Sequence, residues 1–160
     1  MRDPRIVRVS SEDKGLTVFN PSREQVRDFF FETWRKYRSG EPLAGLETIA
    51  LEIALLHPEY HAVLDDPDHY REQEYFPEHG ETNPFLHMSL HMALQEQLSI
   101  DQPAGVVERF NKLVARKGDR HEALHEAIEC LAEMVWRAQR DNAPPDAAAY
   151  LGNLEARSRK

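Results

Sequence analysis

One property limits the fold of this chain more than any other. Its apolar residues return every three or four positions, in stretches bounded by Asn-Pro, Gly and Pro, and nowhere alternate over a useful length. A period near 3.6 is that of a helix with one buried face, and no period-2 run offers a half-buried strand. The first stretch is FNPSREQVRDFFFETWRKYRSGEP. Asn20 is its expected cap, Pro21 suits the first helical position, and Gly40 ends it in a left-handed turn. Val26, Phe29, Phe30, Trp34 and Tyr37 form its predicted buried face.

PLAGLETIALEIALLH follows, with Leu46, Ile49, Ile53 and Leu56 as the inner stripe and Glu52 beside it. Pro58 disfavours helical geometry at His57, so a break there and a short helix to about Leu64 are expected. Residues 65–82, DDPDHYREQEYFPEHGET, read as a long acidic connection. Asn83-Pro84 repeats the start signal for a helix to about Leu98, and Ser99 or Asp101 is placed to cap the next one, AGVVERFNKLVARK. That helix uses Val106, Val107, Phe110, Leu113 and Val114, and Gly118 closes it. Asp119, with Glu122 three residues on as its capping-box partner, opens the longest helix, which Pro144 and Pro145 stop before a final short one. The predicted architecture is all-α: a helical bundle of four to five main helices with short accessory helices. Residues 1–19 read as an N-terminal tail, and 20–157 as a single helical domain.

Composition narrows the partners. The formal net charge is −8 and the basic residues are scattered, so little counterion-release drive toward DNA or RNA exists. No apolar run approaches the ~18 residues of a membrane span, and the first residues lack the apolar core of a secretory signal. A lone cysteine, Cys130, agrees with a reducing, cytoplasmic setting. Amid apolar helical neighbours it reads as an inert structural thiol, and Met88, Met92 and Met134 read as core filler.

The eight histidines are the unusual feature, and six of them form His-x-x-x-His pairs: His57/His61, His87/His91 and His121/His125. Residues i and i+4 are neighbours on a helix, so two such imidazoles can converge on one ion. The stripe His87, Leu90, His91, Leu94, Leu98 and the stripe His121, Leu124, His125, Ile128, Leu131, Val135 both run through residues that must build a core. Buried imidazoles need partners, since each lost water hydrogen bond costs on the order of 1–3 kcal/mol. His87, His91, His121 and His125 are therefore the primary metal-ligand candidates, with His61, Glu52 and Glu129 as second choices. The candidate cofactor is a divalent transition metal, zinc, iron or manganese, dinuclear if the carboxylates join. Metal-activated water would be its least demanding chemistry, and the substrate is an unspecified small molecule. His69 and His79 read as solvated loop residues. His121, Glu122 and His125 also fit the zincin pattern His-Glu-x-x-His literally, but a zincin would need a third ligand and an exposed cleft, and Glu122 is already the predicted capping residue. Two further readings compete with the metal: a non-enzymatic interaction or scaffold domain, with a protein partner or as a homodimer, whose histidines satisfy one another, and a pH-responsive helix packing.

Four segments, FNPSREQVRDFF, HPEYHAVL, TNPFLHMSLHMALQEQLSIDQP and HEALHEAIECLAEMVWRAQR, resemble in the same order a family of short bacterial proteins catalogued as domain of unknown function 1841. The resemblance spans roughly residues 18–154 and implies no activity or ligand. The His and Glu spacings alone are similar to those of hemerythrins and DinB-like bundles, without a complete ligand set of either kind.

Overall fold

Ser22 opens the first helix of a computed structural model that describes residues 22–160. Its hydroxyl accepts from the Gln25 amide at 3.1 Å while the Gln25 side chain accepts from the Ser22 amide at 2.9 Å, a reciprocal capping box. The helix α1 (Arg23–Ser39) therefore starts later than expected, and Asn20 and Pro21 lie outside the described residues, as does the predicted tail. Gly40, at φ 72°, ends α1 in the left-handed turn that its lack of a Cβ permits. Replacing Ser22 by Ala is expected to cost about 1 kcal/mol. In thermal unfolding followed by circular dichroism that is a drop of roughly 2–4 °C for a chain of this size.

The described residues form eight α-helices and two single 3-10 turns, with no strand among them. After α1 come α2 (Leu46–Leu55), α3 (His61–Leu64), α4 (Pro67–Tyr70), α5 (Pro84–Ile100), α6 (Val106–Lys117), α7 (Arg120–Asp141) and α8 (Ala147–Ser158). The all-α expectation holds. No helix among the described residues is long and apolar enough to cross a membrane. The chain divides into two compact units, one ending at Phe85 and the other running Leu86–Lys160.

In the first unit α1 packs on α2 and α3. Its buried face is Arg27, Phe30, Phe31, Thr33 and Trp34, rotated from the predicted stripe so that Tyr37 is exposed. Arg27 is the surprise. Its guanidinium donates to the carbonyls of Tyr70 (3.1 Å) and Arg71 (3.0 Å) and lies 4.8 Å from the centre of the Phe85 ring. A cation is tolerated there because carbonyl dipoles and an aromatic face stand in for water. Trp34 donates to Asp65 at 2.7 Å, and the guanidinium of Arg38 beside Asp65 holds that carboxyl below its usual range.

On α2 the buried side is Ala50, Ile53 and Ala54, whereas Leu46 and Leu56 of the predicted stripe are half or more exposed. Small alanines let α1 approach this side closely, and a stripe drawn through large residues alone misses them. The break at Pro58 is present: a 3-10 turn, Pro58–Tyr60, precedes α3. The acidic connection is more ordered than expected, holding α4 and a 3-10 turn, Pro77–His79.

The second unit packs α6, α7 and α8 together, and α5 adds Leu94 to their core. Phe110 and Leu113 of α6 meet Ala123, Leu124, Ala127, Ile128 and Leu131 of α7 and Leu154 of α8. Asn83 accepts from the Phe85 amide at the start of α5. The cap position of α6 is Gly105, not Ser99 or Asp101, but the Asp101 side chain reaches forward to accept from the Gly105 amide at 3.2 Å and the Val107 amide at 3.0 Å. Asp119 caps α7 through the His121 amide at 2.9 Å, and the capping-box bond from Glu122 is not formed. Val135, predicted inner, is exposed beside Trp136, while the adjacent Met134 packs against the core and Glu133 accepts from Asn153 of α8 at 2.8 Å. The Tyr150 hydroxyl, buried, donates to Gln97 at 2.6 Å.

Candidate metal centre

Two start signals set the geometry of the site: Asn83-Pro84 fixes where α5 begins, and Asp119 fixes where α7 begins. From those starts, the 3.6-residue repeat carries His87 and His91 onto one side of α5 and His121 and His125 onto one side of α7. His91 is 4% exposed, and His87 and His125 are half-buried.

The imidazoles meet. Nε2 of His91 lies 3.2 Å from Nε2 of His87, and the two rings stand edge to face with centroids 4.8 Å apart. His125 closes the triangle, its ring 5.2 Å from that of His87 and 5.3 Å from that of His91. Each of the three offers a nitrogen within 4.8 Å of the others'. Two nitrogens bound tetrahedrally to one ion at ~2.05 Å would lie ~3.3 Å apart, close to the His87–His91 separation. His121 does not join this triangle. It packs against His125, centroids 4.4 Å apart, without offering a nitrogen to the same point.

The second choices lie elsewhere. Glu129 is 66% exposed and binds Arg157 at 2.6 Å, because it projects from the side of α7 opposite Ala127 and Leu131. Glu52 is exposed on α2, opposite the buried alanines. The ring of His61 lies 4.5 Å from that of Trp34 and its Nε2 donates to the Ala54 carbonyl at 2.8 Å, a packing role within the first unit. His69 and His79 are exposed, as expected.

Sequence reasoning set His57 aside because Pro58 follows it, yet it is 1% exposed. Its Nδ1 lies 2.7 Å from the Ile53 carbonyl and its ring stacks on Tyr60, 6° from parallel. A carbonyl only accepts, so Nδ1 carries the hydrogen and the lone pair is on Nε2. The available signal was its place three residues beyond the buried Ala54, one helical turn along the same face. α2 ends at Leu55 and His57 is no longer helical, but its amide still donates to the Ala54 carbonyl at 3.0 Å, which keeps it one turn beyond Ala54.

Cys130 is buried, and burial pushes its thiol above the usual range, which keeps it protonated and unreactive. Glu126, beside Lys117 and Arg157, is held below the usual carboxylate range by those cations.

A family model, described as Domain of unknown function (DUF1841), matches residues 22–156. The chain belongs to this family. No curated protein and no solved structure matches it. In this DUF1841 chain the matched region includes all eight histidines.

Proposed function

We propose that the chain is a metal-binding helical protein whose centre is formed by His87, His91 and His125, holding a divalent transition ion. The observation that supports this most is the convergence of three imidazole nitrogens contributed by two helices, with the His87–His91 pair 3.2 Å apart. His121, packed on His125, orients that ring from outside the ligand set. Such an ion would act as a Lewis acid and, where water reaches it, would supply a hydroxide-like nucleophile near neutral pH. The 3.2 Å separation also fits an N–H···N bond between two neutral imidazoles, which favours a second reading: a structural polar cluster in a non-enzymatic interaction domain.

Elemental analysis by mass spectrometry on untagged protein, purified without added metal, separates the two. Near-stoichiometric transition metal is expected in the native chain, falling to background in His91→Ala and in His125→Ala variants that remain helical. A folded, metal-free chain that gains nothing on exposure to zinc, iron or manganese would establish the structural cluster instead.

A further inference from the structure

The identity of the donors carries a conclusion about which ion is held. We infer that the centre takes one ion per chain, of the nitrogen-seeking class that zinc represents, and not manganese or a carboxylate-bridged metal pair. This rests on the reading of His87, His91 and His125 as ligands. Among the described residues, the His, Cys, Asp and Glu side chains whose ligand atoms converge form a group made of histidine alone.

The carboxylates on α7 that could have joined are held away from it. Glu129 is exposed and paired with Arg157, Glu126 is paired with both Lys117 and Arg157, and Glu122 is exposed in the first turn. On α5 the one carboxylate, Glu96, is exposed, and the residue one turn beyond His91 is the amide Gln95.

Two consequences follow from that donor set. Paired metal ions sit ~3.5–4 Å apart and in helical bundles are bridged by glutamates, which no side chain among the described residues supplies. Imidazole donors favour zinc, copper and nickel, the general affinity order puts manganese at its foot, and manganese suits oxygen ligands better. A nitrogen-only set converging within 4.8 Å therefore selects by chemistry, and three such donors suit one tetrahedral ion with a position left open.

Titration of the chelator-treated full chain by calorimetry tests this, using zinc and manganese in separate runs and cobalt(II) absorption as a third readout. Zinc is expected to bind one per chain, with an affinity at least about 100-fold above that of manganese. Cobalt(II) should give visible bands of nitrogen coordination that His91→Ala removes and Glu129→Gln leaves unchanged. Two ions per chain, manganese binding within tenfold of zinc, or cobalt bands lost in Glu129→Gln would overturn the selectivity while leaving a metal site standing. Binding of neither zinc nor manganese overturns the histidine-ligand reading itself, and the selectivity with it.

Discussion

Zinc added to the metal-free chain is expected to raise its unfolding temperature by about 10 °C, and His91→Ala to abolish that rise. A ligand that binds only the folded state stabilises it in proportion to the logarithm of its concentration relative to its dissociation constant, about 4 kcal/mol at a thousandfold excess. Each kcal/mol moves the midpoint by roughly 2–4 °C in a chain of this length. His91 is the informative position because it is 4% exposed and its Nε2 is the one 3.2 Å from His87, so its removal breaks the closest donor pair. The variant will also lose some packing, so the quantity to compare is the zinc-induced shift within each protein, read by scanning calorimetry. His79→Ala, at an exposed position outside the proposed ligand set, should keep the full shift. A wild-type midpoint that zinc does not move, or a shift that survives in His91→Ala, contradicts the assignment.

The second large effect concerns the unit that ends at Phe85. Trp34→Ala should destabilise it by about 3–5 kcal/mol, the usual range for deleting a buried large aromatic side chain. Trp34 is 3% exposed, packs against Tyr37 and His61 at centroid distances of 5.1 and 4.5 Å, and donates to Asp65 at 2.7 Å. Trp34→Phe separates the two contributions. It keeps most of the ring packing and removes the Nε1–H donor, leaving Asp65 paired with Arg38. A loss of about 1 kcal/mol is expected for that change. Urea unfolding followed by far-ultraviolet circular dichroism measures both, without relying on tryptophan emission. Equal losses in the two variants would show that the Asp65 bond, not the ring, holds α1 in place.

Much of the fold was legible because punctuation and period are local. Gly40, Gly118 and Pro58 act on the backbone wherever they occur, and each helix end or break they predict is present. The caps were less secure, since several residues near a helix start can accept the same amides. Ser22 takes the role given to Asn20, and Gly105 takes the cap position of α6 for which Ser99 or Asp101 was expected, with Asp101 accepting from the Val107 amide. Faces were harder again. Stripes drawn through large apolar residues put Leu46, Leu56 and Val135 inside along with Ile53, Leu124, Ile128 and Leu131, and leave out the buried Ala50, Ala54, Ala123 and Ala127. Which side of a helix is covered depends on how near its neighbour can come, and that favours small residues.

The candidate centre divides the same way. Sequence alone determined that the chain would be helical and that His87, His91, His121 and His125 would lie in pairs along inner stripes, because i, i+4 neighbours follow from the helix repeat itself. Only the tertiary structure decided that His87, His91 and His125 share one point while His121 stands beside it. Only the structure turned Glu52 and Glu129 outward and buried His57 and Arg27. A helix fixes the spacing of its own side chains through local hydrogen bonds. The rotation of one helix against the next is set by the packing of whole faces, and no local stretch of sequence contains that information.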